Sequence, residues 1–153
     1  MMDWTFELNG KPLSAFKHLT YSFPAYSGQG RHLNQRTSSC HKNVGPIPPG
    51  VYHIVDRPTG GRLGGLRDVL EPEKKIWFGL YADDGKLDDQ VLCNSILRGN
   101  FRLHPEGTLG ISEGCITIPR MSDFLMIRSL LLATKPSATG PSNLLTYGRV
   151  LVI

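Results

Sequence analysis

The sequence predicts a single mainly β domain of the α+β class, with one main helix. Three observations carry this prediction. Apolar and polar residues alternate along several short runs, as in Trp4-Thr5-Phe6-Glu7-Leu8, the pattern of strands with one buried face. The chain holds 17 glycines and 11 prolines, which separate those runs as turn formers between short strands do. One later stretch, Ser122 to Leu132, repeats its apolar residues with helical spacing instead.

The N-terminal alternation ends at Asn9-Gly10, a dipeptide that favours a type I′ hairpin turn. A returning strand is expected through Leu13 to Phe16, and a third through Leu19, Tyr21 and Phe23. Trp4 and Phe6 read as core residues. Pro24 to Asn43 is polar and irregular, a long loop of the kind that carries binding residues on β scaffolds. Gly45-Pro46-Ile47-Pro48-Pro49-Gly50 is stiff, because proline fixes φ, and should feed a strand from Val51 to Val55. Thr59 to Gly65 is rich in glycine but lacks the ending and context of a phosphate loop, so it reads as a flexible loop or bulge. Lys75 to Tyr81 reads as a buried strand, Asp83-Asp84-Gly85 as a turn, and Val91 to Leu97 as another strand with Cys93 buried. Ser122 is placed to cap the helix, and Asp123 suits its positive end. A Pro, Gly and Ser connector from Lys135 to Ser142 leads to a final strand, Tyr147 to Ile153.

The 153 residues suit one domain with a single core. No apolar run is long enough to span a bilayer. The start, Met-Met-Asp-Trp-Thr-Phe-Glu, lacks the basic and apolar regions of a secretory signal, so a cytosolic protein or export by a leaderless machine is expected. The net charge of +4 suits an anionic polymer, but no dense Lys/Arg cluster interleaved with aromatics supports nucleic-acid binding. Cys40, Cys93 and Cys115 make an odd count, which leaves at least one free thiol unless chains pair. Their spacing is not that of a zinc site, nor does the acidic turn have EF-hand spacing. No metal or cofactor is expected.

The stretch from Asn100 to Pro119 carries the chemistry. Phe101 and Leu103 share one face of an extended segment, and Arg102 and His104 the other. Gly107 and Gly110 allow a tight return. Beyond it, Ile116 and Ile118 point one way, Cys115 and Thr117 the other. With the apolar residues in the core, Arg102, His104, Cys115 and Thr117 face a common cleft. A thiol beside an imidazole can become a nucleophile. Gly114 lets the backbone bend, so that the amides of Glu113, Gly114 and Cys115 can converge on an oxyanion.

Phe101-Arg102-Leu103-His104-Pro105 and Gly110-Ile111-Ser112-Glu113-Gly114-Cys115-Ile116-Thr117 resemble the active-site signature of L,D-transpeptidases. Glu113 stands where the classical family has His, and Thr117 where it has Arg or Asn. These departures resemble one branch, the type VI secretion L,D-transpeptidase effectors. Gly45 to Tyr52 and Tyr26-Ser27-Gly28 are similar to upstream elements of that branch. The resemblance implies an L,D-transpeptidase-like β-sandwich or barrel, and an antibacterial toxin that acts on peptidoglycan tetrapeptide stems. It implies Cys115 as nucleophile, His104 as proton carrier and Gly114 in the oxyanion site. The reaction implied is L,D-carboxypeptidase cleavage between meso-diaminopimelate and D-Ala, or exchange of the terminal D-amino acid. Ser112, Thr117, Tyr26, Ser27 and Gly28 are candidate substrate contacts. Arg102 is either a partner for the stem carboxylate or a surface arginine. Implied partners are a periplasmic immunity protein and a component of the type VI apparatus, with the protein a monomer acting in the target-cell periplasm. A different cysteine peptidoglycan hydrolase and a non-catalytic wall-binding module are the competing readings. Papain-like amidases place Cys before His, the reverse of the order here.

Overall fold

The computed structural model describes residues 1–58, 72–107 and 113–153. Among them are eleven strands and one α-helix: β1 (Met2–Phe6), β2 (Ser14–His18), β3 (Tyr21–Ala25), β4 (Gly50–Asp56), β5 (Phe78–Ala82), β6 (Gln90–Cys93), β7 (Ile96–Gly99), β8 (Arg102–Pro105), β9 (Ile116–Ile118), α1 (Met121–Ala133), β10 (Ser137–Thr139) and β11 (Leu144–Val152). The main sheet runs β3-β2-β1-β11-β4-β5-β8-β9, with β10 paired to β11, while β6 and β7 form a separate hairpin. Tyr26, just past β3, exchanges backbone hydrogen bonds of 3.0 and 2.8 Å with Thr117 of β9. The two edge strands therefore meet, and the sheet curls into a nearly closed barrel. Closure removes exposed edges. The expectation of a mainly β fold with a single helix holds.

The core follows the alternation of the sequence. Trp4 and Phe6 of β1 are buried, and Trp4 stacks on Phe16 with ring centroids 4.5 Å apart. Tyr52, Ile54, Leu80, Leu103, Ile116 and Val150 join the same cluster. Each large apolar side chain so buried stabilises the fold by about 1.5–3 kcal/mol. Helix α1 turns Phe124, Ile127 and Leu131 inward, one stripe at helical spacing. Among the described residues no helix is long and apolar enough to cross a membrane.

Several local expectations are corrected. Asn9 does not have positive φ, so Asn9-Gly10 is not a type I′ turn. It lies in a longer connection in which Asn9 bonds Lys11 N–H and Leu13 carbonyl. The turn of that kind is at Asn94-Ser95, both at positive φ (48° and 65°), and it splits the expected Val91–Leu97 strand into the β6–β7 hairpin. Leu19 sits in a turn and is exposed rather than in a strand. The segment before β5 is a 3-10 turn, Pro72–Ile76, so the strand starts at Phe78. Arg120, not Ser122, occupies the helix N-cap, without a side-chain bond, while Asp123 does lie in the first turn. The connector after the helix contains β10. The strands flanking the motif pair in parallel, so the chain between them does not make the expected tight return. The glycine-rich Thr59–Gly65 segment lies outside the described residues.

Candidate active site

Strands β8 and β9 align Leu103 with Ile116, His104 with Thr117 and Pro105 with Ile118. Cys115, one residue before β9, stands beside the Arg102 end of β8. The register puts Arg102, His104, Cys115 and Thr117 on one face, as alternation predicts. That face is mostly covered: Thr117 is fully buried and His104 nearly so, while Cys115 keeps partial exposure at one end. In this register His104 lies directly beside Thr117, and Cys115 comes two residues before Thr117 in the chain.

Cys115 is the free thiol; Cys40 and Cys93 form a disulfide. Cys93 is thus a half-exposed cystine partner and not a buried thiol. The Cys115 Sγ lies 3.8 Å from the Asn100 carbonyl. Burial pushes the thiol up to about 11; the Arg102 backbone N–H and guanidinium pull it down, and Glu113 and Asp89 push it up. His104 packs its ring on Trp77, centroids 4.3 Å apart and 21° from coplanar. Its Nδ1 is 2.6 Å from the Pro105 carbonyl. A carbonyl only accepts, so Nδ1 carries the proton and Nε2 the free lone pair. Burial lowers the pKa of His104, and Lys74 adds to this against the Pro105 hydrogen bond. Both shifts favour the uncharged forms, a thiol at Cys115 and an imidazole at His104.

Gly114, just before the thiol, has φ of +114°, and a Cβ there would stand 2.7 Å from both Arg98 Nη2 and Phe101 Cε1. Only glycine fits without displacing its neighbours. Arg102 is held by Asp89 through two hydrogen bonds of 2.8 and 2.6 Å, the paired geometry of guanidinium and carboxylate. Cys115 opens onto a cavity of about 320 Å³ lined also by Lys42, Asn43, Asp89, Arg98, Asn100 and Glu113.

The upstream residues divide. Ser27 is fully buried; its hydroxyl accepts from Ile47 N–H at 2.9 Å, and its own N–H donates to Asn34 Oδ1. It fixes the loop to the Gly45–Gly50 segment and does not line the cavity beside Cys115. Tyr26 donates to Glu106 Oε1 at 2.7 Å. Burial raises the Tyr26 pKa, as does Glu106. Tyr26, Gly28 and Glu106 line a second cavity of about 450 Å³ with Gln29, Leu33 and Pro119. Ser112 lies outside the described residues. Among the described residues no three His, Cys, Asp or Glu side chains gather as metal ligands.

Sequence reading missed Arg98, Asp89, Trp77 as a site residue, and Glu106. Arg98 is 4% exposed and donates to the carbonyls of Ser39, Pro46, Gly45 and Glu113. It sits in an Ile-Leu-Arg-Gly run whose alternation gives no sign that the charged position faces inward.

A family model, the Tlde1 domain, matches residues 21–140. That range holds β3, the Gly45–Gly50 segment, β8, the thiol and α1. The chain matches no curated protein and no solved structure. It therefore belongs to the Tlde1 domain family, the type VI secretion L,D-transpeptidase effectors, toxins secreted into target cells with an activity related to peptidoglycan.

Proposed function

We propose that the protein cleaves or exchanges the terminal D-amino acid of peptidoglycan tetrapeptide stems by cysteine acyl transfer. The observation that carries the reading is the placement of the one thiol outside the disulfide, Cys115, and a histidine whose Nδ1 is held by a carbonyl, His104, on the same face of neighbouring strands. Cys115 sulfur attacks the carbonyl of the L-configured centre of meso-diaminopimelate, and its proton passes to His104 Nε2. The tetrahedral oxyanion is met by backbone amides at Gly114 and Cys115. Collapse breaks the bond to D-Ala, whose nitrogen takes the proton from His104. Water then resolves the thioester, which is carboxypeptidase action, or a free D-amino acid does, which is exchange. Either outcome depletes the tetrapeptide donors needed for crosslinking.

The cavity beside Cys115 suits a charged stem. Lys42 lines it as a cation, whereas Arg102 reaches a stem carboxylate only by exchanging Asp89 for it. Thr117 bridges its backbone to Tyr26 at the edge of β9, and Tyr26 and Gly28 line the second cavity, which is open to the resolving nucleophile. Ser27 supports that rim from within. The disulfide between Cys40 and Cys93 fits work in an oxidising compartment such as the periplasm. An immunity protein of the periplasm and a carrier component of the type VI apparatus are the partners this reading requires. The protein acts as a monomer and needs no metal or cofactor.

The test is mass spectrometry of wall fragments after incubation with the protein. Loss of tetrapeptide stems with gain of tripeptides supports hydrolysis, and new terminal D-amino acids support exchange. Cuts elsewhere in the stem favour a different cysteine hydrolase. Unchanged fragments with retained wall binding favour the binding module.

A further inference from the structure

We propose that Arg98 is a positioning residue of the acyl-transfer centre, a role that rests on the reading of Cys115 as nucleophile. The guanidinium is buried and, among the described residues, its four hydrogen-bond partners are all backbone carbonyls: Ser39 at 2.5 Å, Pro46 at 2.6 Å, Gly45 at 3.1 Å and Glu113 at 3.1 Å. It lies over the Phe101 ring at 5.3 Å. A buried cation held by neutral acceptors instead of a carboxylate is costly, and burial lowers its pKa accordingly. Three of the four carbonyls belong to the 39–46 segment, and these would be enough to tie that segment to β7. The fourth belongs to the residue two before the nucleophile.

That fourth bond has a geometric consequence. The Glu113 carbonyl and the Gly114 N–H share one planar peptide unit and point to opposite sides of it. A guanidinium that holds the carbonyl inward turns the N–H outward. Among the described residues no group accepts from the Gly114 N–H, which leaves it available to a developing oxyanion. The fit is tight, since a Cβ at Gly114 would collide with Arg98 Nη2. Arg98 is itself anchored. The segment that supplies its carbonyls contains Cys40, and the hairpin that carries it contains Cys93, so the disulfide joins the two sides of the clamp. Such support of a reactive backbone by a rigid second layer is how sites keep their geometry.

The experiment uses Arg98→Lys, which keeps charge and stem, and Arg98→Ala. The kcat and KM for a tetrapeptide muropeptide are measured per free thiol titrated in the folded protein, so misfolded material is not counted. The expected result is a fall in kcat of about 10²-fold in both variants, the scale of losing an oxyanion donor, with KM unchanged. Millimolar guanidinium, well below denaturing levels, should restore part of the activity of Arg98→Ala. An unchanged kcat per thiol, with only a lower Tm, would overturn the positioning role. If the wild-type protein neither releases D-Ala nor acylates Cys115, the acyl-transfer reading fails first. If the wild type is active and both variants match it, only the role of Arg98 fails.

Discussion

Replacing both Cys40 and Cys93 with serine should cost the folded protein about 4 kcal/mol. The bond closes a loop with a sequence separation of 53. Cross-linking residues that far apart removes about 14 cal/mol/K of chain entropy from the unfolded state, which is about 4 kcal/mol at 25 °C. For a chain of this size the expected drop in Tm is about 8–16 °C. The fold should survive, because the buried cluster around Trp4, Phe16, Leu103 and Ile116 does not include either cysteine. The assay is urea denaturation without reductant, followed by tryptophan fluorescence from Trp4 and Trp77. Thiol titration of the wild type should first give one reactive group per chain, Cys115. A loss under about 1 kcal/mol, with the bond verified in the wild type, would refute the entropic argument. The same double variant should lose activity as well, since the two sides of the Arg98 clamp would no longer be joined.

Other perturbations have equally definite outcomes. Gly114→Ala puts a Cβ against Arg98 and Phe101 at positive φ; it should destabilise by about 1–3 kcal/mol from backbone strain alone and suppress kcat, as read by thermal melts and turnover. Asp89→Ala leaves the half-buried Arg102 fork without its carboxylate and should cost about 1–3 kcal/mol in urea unfolding. The lowered pKa of His104 means that the unfolded chain binds a proton more readily. Its contribution is therefore complete above the unfolded value of 6.5 and is lost as pH falls below it. His104→Asn should show a smaller acid loss than the wild type in unfolding measured across that range. Cys115 has the opposite sign: its folded pKa is raised from 9.0 to about 11, so stability falls as pH climbs between those values, and thiol alkylation should still be rising there.

The strand pattern was legible because period-two alternation reports a buried face directly. Trp4, Phe6, Leu103, Ile116 and Ile118 all point where that alternation puts them. The common face of Arg102, His104, Cys115 and Thr117 was legible for the same reason, although the expected tight return between the two strands is replaced by parallel pairing. Parity along each strand fixes the face, whichever way the neighbour runs. What sequence could not give was long-range pairing. Asp89 lies 13 residues from Arg102 in the chain, and no local pattern links them. Arg98 bonds carbonyls 52 to 59 residues away, and backbone acceptors leave no trace in side-chain identity. The turn chemistry failed in an instructive way. Asn9-Gly10 has the favoured letters, but Asn9 side-chain bonds built a wider loop, while the less typical Asn94-Ser95 took positive φ because the β6–β7 register required it. Ser27 has the residue type of a substrate contact and serves instead to satisfy a buried amide, a distinction that only burial makes.

The most direct test of the acyl-transfer account is intact-protein mass spectrometry of the wild type mixed with a tetrapeptide stem ending in D-Ala. The account predicts a transient adduct equal to the stem less D-Ala, located on the peptide that contains Cys115, and absent in Cys115→Ala. Release of D-Ala at full rate by Cys115→Ala, with no adduct on the wild type, would contradict it.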